Sequence, residues 1–128
     1  MASKKITADR LGDEIDKILQ NYADDFERNL DVITKQIGKK GATAVKNEAL
    51  AKFPAGTGKY ARGWSSRAEK MPHYTSVVIY NKNAYQLSHL LENGHAKVGG
   101  GRVPGRQHIA TVETKLLEEY QLKVISII

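Results

Sequence analysis

The sequence predicts an α+β domain. A long N-terminal helix and a C-terminal helix pack on one face of a small antiparallel β-sheet, with a short helix and a glycine-rich loop between them. Three observations carry this. Apolar residues recur at steps of three and four from Leu11 to Ile37 and again from Ile109 to Val124, the stripe of a helix facing a core, within helices expected over 6–53 and 107–125. Two runs rich in aromatic and β-branched residues lie between 58 and 81, the pattern of a hairpin. Five of the eleven glycines fall between Gly94 and Gly105, too dense for a regular element. At 128 residues the chain reads as a single domain, 1–128, long enough to bury a core.

In the first helix the apolar positions are Leu11, Ile15, Ile18, Tyr22, Phe26, Leu30, Ile33 and Ile37. The steps drift from a strict heptad, so packing on a sheet is expected rather than a long coiled coil. Thr7 is placed to cap this helix, and Asp9 suits its first turn. Asp13, Asp16, Asp24, Glu27 and Asp31 recur on the other side and read as a solvated acidic face, not as paired catalytic acids. Gly38-Lys39-Lys40-Gly41 is expected to kink the helix, because each glycine costs about 1 kcal/mol in a helix interior. The helix should end by Phe53, since Pro54 disfavours helical backbone in the residue before it.

Residues 58–81 form the expected hairpin. Tyr60, Arg62, Trp64 and Ser66 alternate on one face of its first strand, and Tyr74–Tyr80 make the second. Pro72 belongs to the turn. Trp64 is expected to cover the core between sheet and long helix. In an alternative it stacks on a nucleic-acid base, with Tyr60, Arg62 and Arg67 around it. Residues 84–93 form a short helix carrying Leu87, Leu90 and Leu91, stopped at Asn93-Gly94. The loop 94–106 follows, with a short strand at His95–Val98. Ile109, Val112, Leu116, Tyr120 and Val124 give the last helix its stripe. The apolar end Val124–Ile128 is expected to dock on the core or on a neighbouring subunit.

There is no cysteine. That excludes a disulfide framework, a thiolate zinc site and a cysteine nucleophile, and it suits a reducing compartment. No apolar leader and no membrane-length apolar run is present, so neither secretion nor a membrane span is expected. The net charge of +6 is unevenly spread: residues 1–53 carry +1, residues 54–110 carry +6 and residues 111–128 carry −1. A basic middle segment favours an anionic partner, either nucleic acid or an acidic protein surface.

The glycine loop invites a phosphate-binding reading, but the spacing fails. No G-x-x-x-x-G-K-[ST] occurs, and Gly99-Gly100-Gly101 runs into Pro104 where G-x-G-x-x-G needs glycine. His89 and His95 are six residues apart, not the i, i+4 of a helical zinc pair. A hydrolase built on His89, His95 and His108 is a third reading that ordinary loop and helix-end histidines explain equally. Lys97, Arg102 and Arg106 would suit carboxylates or phosphates. No catalytic residue, metal or cofactor is expected.

Two motif regions carry a family resemblance: Leu91-Glu92-Asn93-Gly94-His95 with Pro104-Gly105-Arg106-Gln107-His108-Ile109, and Thr57-Gly58-Lys59-Tyr60-Ala61-Arg62-Gly63-Trp64. Over most of residues 7–122 the chain resembles small morphogenesis proteins of long-tailed double-stranded-DNA bacteriophages, the tail-component, head–tail joining and tail-completion proteins. It departs from them at Asn93, often aromatic in the family, and at Gly105-Arg106-Gln107. The resemblance implies a non-enzymatic virion component at the neck or tail, assembled in the host cytoplasm. Its subunits would form a ring, a hexamer among the candidates, between the connector or adaptor and the tail tube or tail terminator. It implies an interaction loop of Glu92, Gly94, His95, Lys97, Gly99, Gly100, Gly101, Arg102, Pro104, Arg106 and His108. The basic segment would face acidic partners or DNA in the channel. The alternative is a small basic nucleic-acid-binding protein using Tyr60, Arg62, Trp64 and Arg67.

Overall fold

A computed structural model describes residues 8–54 and 56–128. The elements are α1 (Ala8–Lys52), α2 (Lys59–Arg62), β1 (Trp64–Lys70), β2 (Thr75–Asn81), α3 (Tyr85–Asn93), β3 (Gly94–Ala96), β4 (Arg102–Pro104) and α4 (Ala110–Ile127). The expected start at Ile6, the Thr7 cap and the Asp9 side chain lie outside the described residues.

β1 and β2 form an antiparallel hairpin running from Trp64↔Asn81 to Lys70↔Thr75. Its turn closes with the Met71 amide donating to the Tyr74 carbonyl at 2.8 Å. Alternate residues of a strand point to opposite faces. Thr75 and Asn81 are buried, and Val77 and Ile79 sit against Gly38 and Gly41 of α1, so the odd positions of β2 face the helices. α4 runs beside α1 on that same face. Thr34 Oγ1 meets Tyr120 Oη at 2.9 Å, and Lys40 Nζ donates to Glu119 at 2.6 Å. The core gathers Val45, Ala49, Ala61, Trp64 and Val112, with Phe53, Tyr60, Ile79 and Ile109 packed around it. Trp64 therefore covers the core between sheet and long helix, as its apolar bulk dictates.

Some boundaries and contacts differ from expectation. The first helix runs without a break through Gly38 and Gly41. A Cβ at Gly38 would overlap Val77, and one at Gly41 would overlap Ile79 and Leu116 at 2.6 Å. These glycines let sheet and α4 approach the helix axis, and the packing gained outweighs their propensity cost. The first strand begins at Trp64 rather than near residue 58, because Lys59–Arg62 form a helical turn entered through Gly58 at φ 76°. Asn81 stabilises that turn from across the sheet. Its Nδ2 donates to the Tyr60 carbonyl at 2.7 Å, and its Oδ1 accepts the amides of Asn83 and Ala84 at 3.0 and 2.9 Å.

The apolar stripe of α1 packs only along its C-terminal part. Leu11, Ile15, Ile18 and Tyr22 are about half exposed or more, at 49, 48, 65 and 60 %. α1 meets the turn and sheet near Glu27, whose carboxylate lies 3.8 Å from His73, and Asp31, which accepts from the Thr75 hydroxyl. The apolar C-terminus is covered only in part on this chain: Val124 and Ile127 are half-buried, while Ile125 and Ile128 are exposed.

Candidate functional site

The loop after α3 is a second small antiparallel ribbon, not an irregular excursion. β3 pairs with β4 in the register Gly94↔Pro104, His95↔Val103, Ala96↔Arg102. Its tip is closed by the Lys97 amide on the Gly101 carbonyl at 3.0 Å and the Gly100 amide on the Lys97 carbonyl at 3.3 Å. Gly99, Gly100 and Gly101 all have positive φ, and a Cβ on any of them would meet nothing. They are there for backbone conformation.

The base of the ribbon uses glycine differently. A Cβ on Gly94 would strike the Val103 carbonyl and the Gly105 amide (2.7 Å), and one on Gly105 would strike the carbonyl of Glu92 and the Gly94 amide (2.6 Å). The two strands of chain cross backbone to backbone at this point. The Arg106 amide donates to the Leu91 carbonyl at 2.8 Å just beyond.

Glu92 locks this crossing to α4. One carboxylate oxygen accepts the amides of His108 and Ile109 at 2.7 and 2.9 Å, and the other accepts that of Ala110 at 2.9 Å. These are the amides that the first turn of a helix leaves unpaired, and a carboxylate there also meets the positive end of the helix dipole. Burial alone would raise the Glu92 pKa. The three amide hydrogen bonds outweigh burial and hold it below the usual carboxylate range.

His108 is fully buried. Nδ1 donates to the Arg106 carbonyl at 2.9 Å and lies 3.1 Å from Glu92, while Nε2 meets the Tyr60 hydroxyl at 2.6 Å. With Nδ1 donating, a neutral ring accepts the Tyr60 proton at Nε2. Burial raises the Tyr60 pKa, so the phenol stays protonated and able to donate. Phe53, Tyr60 and Trp64 surround the imidazole edge-on, with ring centroids at 5.2, 5.5 and 6.3 Å.

The arginines take internal partners. Arg102 donates to the Asn93 carbonyl at the end of α3 at 2.7 Å, and Arg106 donates to the Lys52 carbonyl at the end of α1 at 2.6 Å while lying over the Phe53 ring. Each puts a cation on the carbonyl end of a helix. Arg62 holds the Thr57 carbonyl at 2.7 Å, and Arg67 lies 3.4 Å from Glu69 and over the Tyr80 ring.

The predicted interaction loop thus splits in two. Glu92, Gly94, Arg106 and His108 build and anchor the ribbon, with Arg102 tying it to α3. His95, Lys97, Gly99, Gly100, Gly101 and Pro104 are exposed on it. Val98, expected in a strand but not at a site, stands fully exposed at the tip. The base-stacking alternative loses its aromatic pair, since Trp64 is buried and Tyr60 is turned into the same cluster. His89 and His95 are exposed while His108 is buried. Among the described residues no group of three or more His, Asp or Glu side chains is gathered where it could hold a metal ion, and no helix is long and apolar enough to cross a membrane.

Sequence reasoning missed Glu92 as the cap of α4, because the acid lies sixteen residues before the first amide it holds rather than at the mouth of the helix. One signal was present: α4 opens on Gln107-His108-Ile109, with no Ser, Thr, Asp or Asn to cap it.

No curated protein and no solved structure matches the chain. A family model does, over residues 7–94, the stretch from α1 through the start of β3. The P-x-x-x-H-I element and α4 lie beyond that match. The chain belongs to the family described as "Bacteriophage HK97-gp10, putative tail-component", a family of phage tail proteins.

Proposed function

We propose that this tail component joins head to tail, or completes the tail, at the virion neck. It acts as a ring of subunits that docks onto connector or tail proteins and catalyses no reaction. The observation that carries this reading is the anchored β3–β4 ribbon. Its base is fixed by the Gly94–Gly105 crossing and the Glu92 cap, while Lys97 and Val98 project at its tip. A rigidly based ribbon with an apolar, cationic tip loses little entropy on docking. The net +6 of residues 54–110 favours acidic partner surfaces and DNA in the channel.

The test is binding of purified connector, tail-tube and tail-terminator proteins to the wild type and to Val98→Asp with Lys97→Glu. The reading predicts that one of these proteins binds and that the double variant weakens it by at least about tenfold. Binding unchanged by the variant, or absent for all three proteins, contradicts it. Steep salt dependence of DNA binding by the free chain would instead favour the nucleic-acid reading.

A further inference from the structure

The β1–β2 sheet ends in an open edge along β2. The hairpin is hydrogen-bonded from the Lys82 amide to the Gly63 carbonyl at one end and from the Met71 amide to the Tyr74 carbonyl at the other. In an antiparallel ladder such pairs alternate with pairs that are not hydrogen-bonded. The register therefore turns the amides and carbonyls of Ser76, Val78 and Tyr80 toward β1, and those of Val77 and Ile79 away from it. Among the described residues this sheet has two strands, and no hydrogen bond takes the Val77 or Ile79 amide.

An unpaired edge invites another strand, and monomeric proteins guard it with charge, proline or a bulge. β1 is guarded by Arg67, Glu69 and Lys70. β2 reads Thr-Ser-Val-Val-Ile-Tyr-Asn, with no charge, proline or glycine. Between β2 and α4 lie two adjoining open grooves of about 270 and 190 Å³ that share Ile79 and Leu116. The first reaches from Thr75 and Val77 to Leu117 and Tyr120, and the second continues to Trp64 and Val112. Glu113 alone among their lining residues is charged. An apolar channel thus follows the length of β2. Val77 and Ile79, which face the helices, are only half-buried beside it, and Leu117 is 53 % exposed.

We propose that an extended segment of a partner protein, apolar at alternate positions, adds to β2 as an antiparallel third strand over α4. Backbone and side chains select the same ligand. Residues opposite Val77 and Ile79 share their face of the sheet, so their side chains pack on Leu116, Leu117 and Tyr120 while their amides and carbonyls pair with the open ones. The residues between them point to the outer, solvated face and are polar. A helix laid in the channel would leave the β2 backbone groups unpaired. The sheet of a second copy is disfavoured sterically. It brings its own α1 close beneath it through Gly38 and Gly41, in the layer where α4 already lies. The site is separate from the ribbon tip and independent of a role at the neck.

The experiment follows amide exchange and chemical shifts of the full chain by nuclear magnetic resonance. In the free protein the Val77 and Ile79 amides are expected to exchange at least about tenfold faster than those of Val78 and Tyr80. The probe is the capped peptide Lys-Val-Thr-Val-Thr-Val-Lys. At millimolar concentration it is expected to shift the Val77 and Ile79 amide signals and to slow their exchange. Methylating the valine nitrogens, which an antiparallel strand turns toward β2, is expected to abolish this, and methylating the threonine nitrogens is not. Leu117→Asp, at an exposed position on the channel wall, is expected to weaken the peptide at least about tenfold. Ala68→Asp, exposed on β1, is expected to leave it unchanged. Circular dichroism checks that both variants fold, and sedimentation reports whether the free chain self-associates. Slow exchange at Val77 and Ile79 in a monomeric free chain overturns the open edge. Slow exchange in a self-associated chain gives the edge to a second copy and overturns the partner strand. No shift with the peptide, or a peptide indifferent to methylation of its valines, overturns strand addition.

Discussion

Glu92 at the end of α3 holds the amide of His108 at 2.7 Å and, with the two amides that follow, supplies the N-terminal cap of α4. One side chain thus fixes the start of the last helix to the base of the exposed ribbon. Replacing Glu92 by Ala leaves three helix-end amides without it and should destabilise the chain by about 2 kcal/mol. Urea denaturation measures this. The ribbon should loosen together with α4, seen as faster hydrogen exchange at both.

The same carboxylate gives the stability a pH dependence of known sign. Its folded pKa lies below the ordinary 4.5, so the unfolded chain takes up the proton first. Its contribution is fully present above about pH 4.5 and is lost as pH falls from there through the folded pKa. Glu92→Gln should therefore flatten the acid limb of the stability curve below about pH 4.5, while Glu118→Gln on the exposed face of α4 should not. Thermal melts from pH 3 to pH 7 give both curves.

Tyr60 and His108 share a hydrogen bond inside the aromatic cluster. Tyr60→Phe keeps the ring and removes the hydroxyl, leaving Nε2 of a fully buried imidazole without that partner. A loss of about 1–2 kcal/mol is expected, with the far-ultraviolet spectrum unchanged. An unaltered stability would mean that Nε2 finds another partner.

Three helical glycines separate propensity from packing. Gly12 lies on the exposed N-terminal part of α1, where an added Cβ would meet nothing, so Gly12→Ala should raise helicity and stability by about 0.5–1 kcal/mol. Gly38 and Gly41 meet Val77, Ile79 and Leu116, so the same substitution there should destabilise by about 1–3 kcal/mol. Had these two glycines marked a break, alanine would have stabilised them as well.

That contrast shows what was legible in the sequence. The α+β class, the hairpin, the short helix ending at Asn93 and the last helix follow from periodicity and turn residues. Position decides the remainder. Glycine is read as flexibility when seen alone, yet Gly38 and Gly41 are contacts and Gly94 and Gly105 are a crossing, because their neighbours come from distant elements. Arg102 and Arg106 look like ligands for an anionic partner, and the carbonyl ends of α3 and α1 satisfy them. Conversely, the regular stripe from Leu11 to Tyr22 announces burial, but no surface of this chain supplies it.

The central claim is that this tail component is needed to join head and tail. The direct measurement is electron microscopy of particles made by its phage after removal of the chain from the genome, with and without resupply. The account predicts filled heads and tails that accumulate separately, restored to joined virions by the wild-type chain and not by Val98→Asp with Lys97→Glu. Joined, infectious virions at the normal yield in the absence of the chain would contradict it.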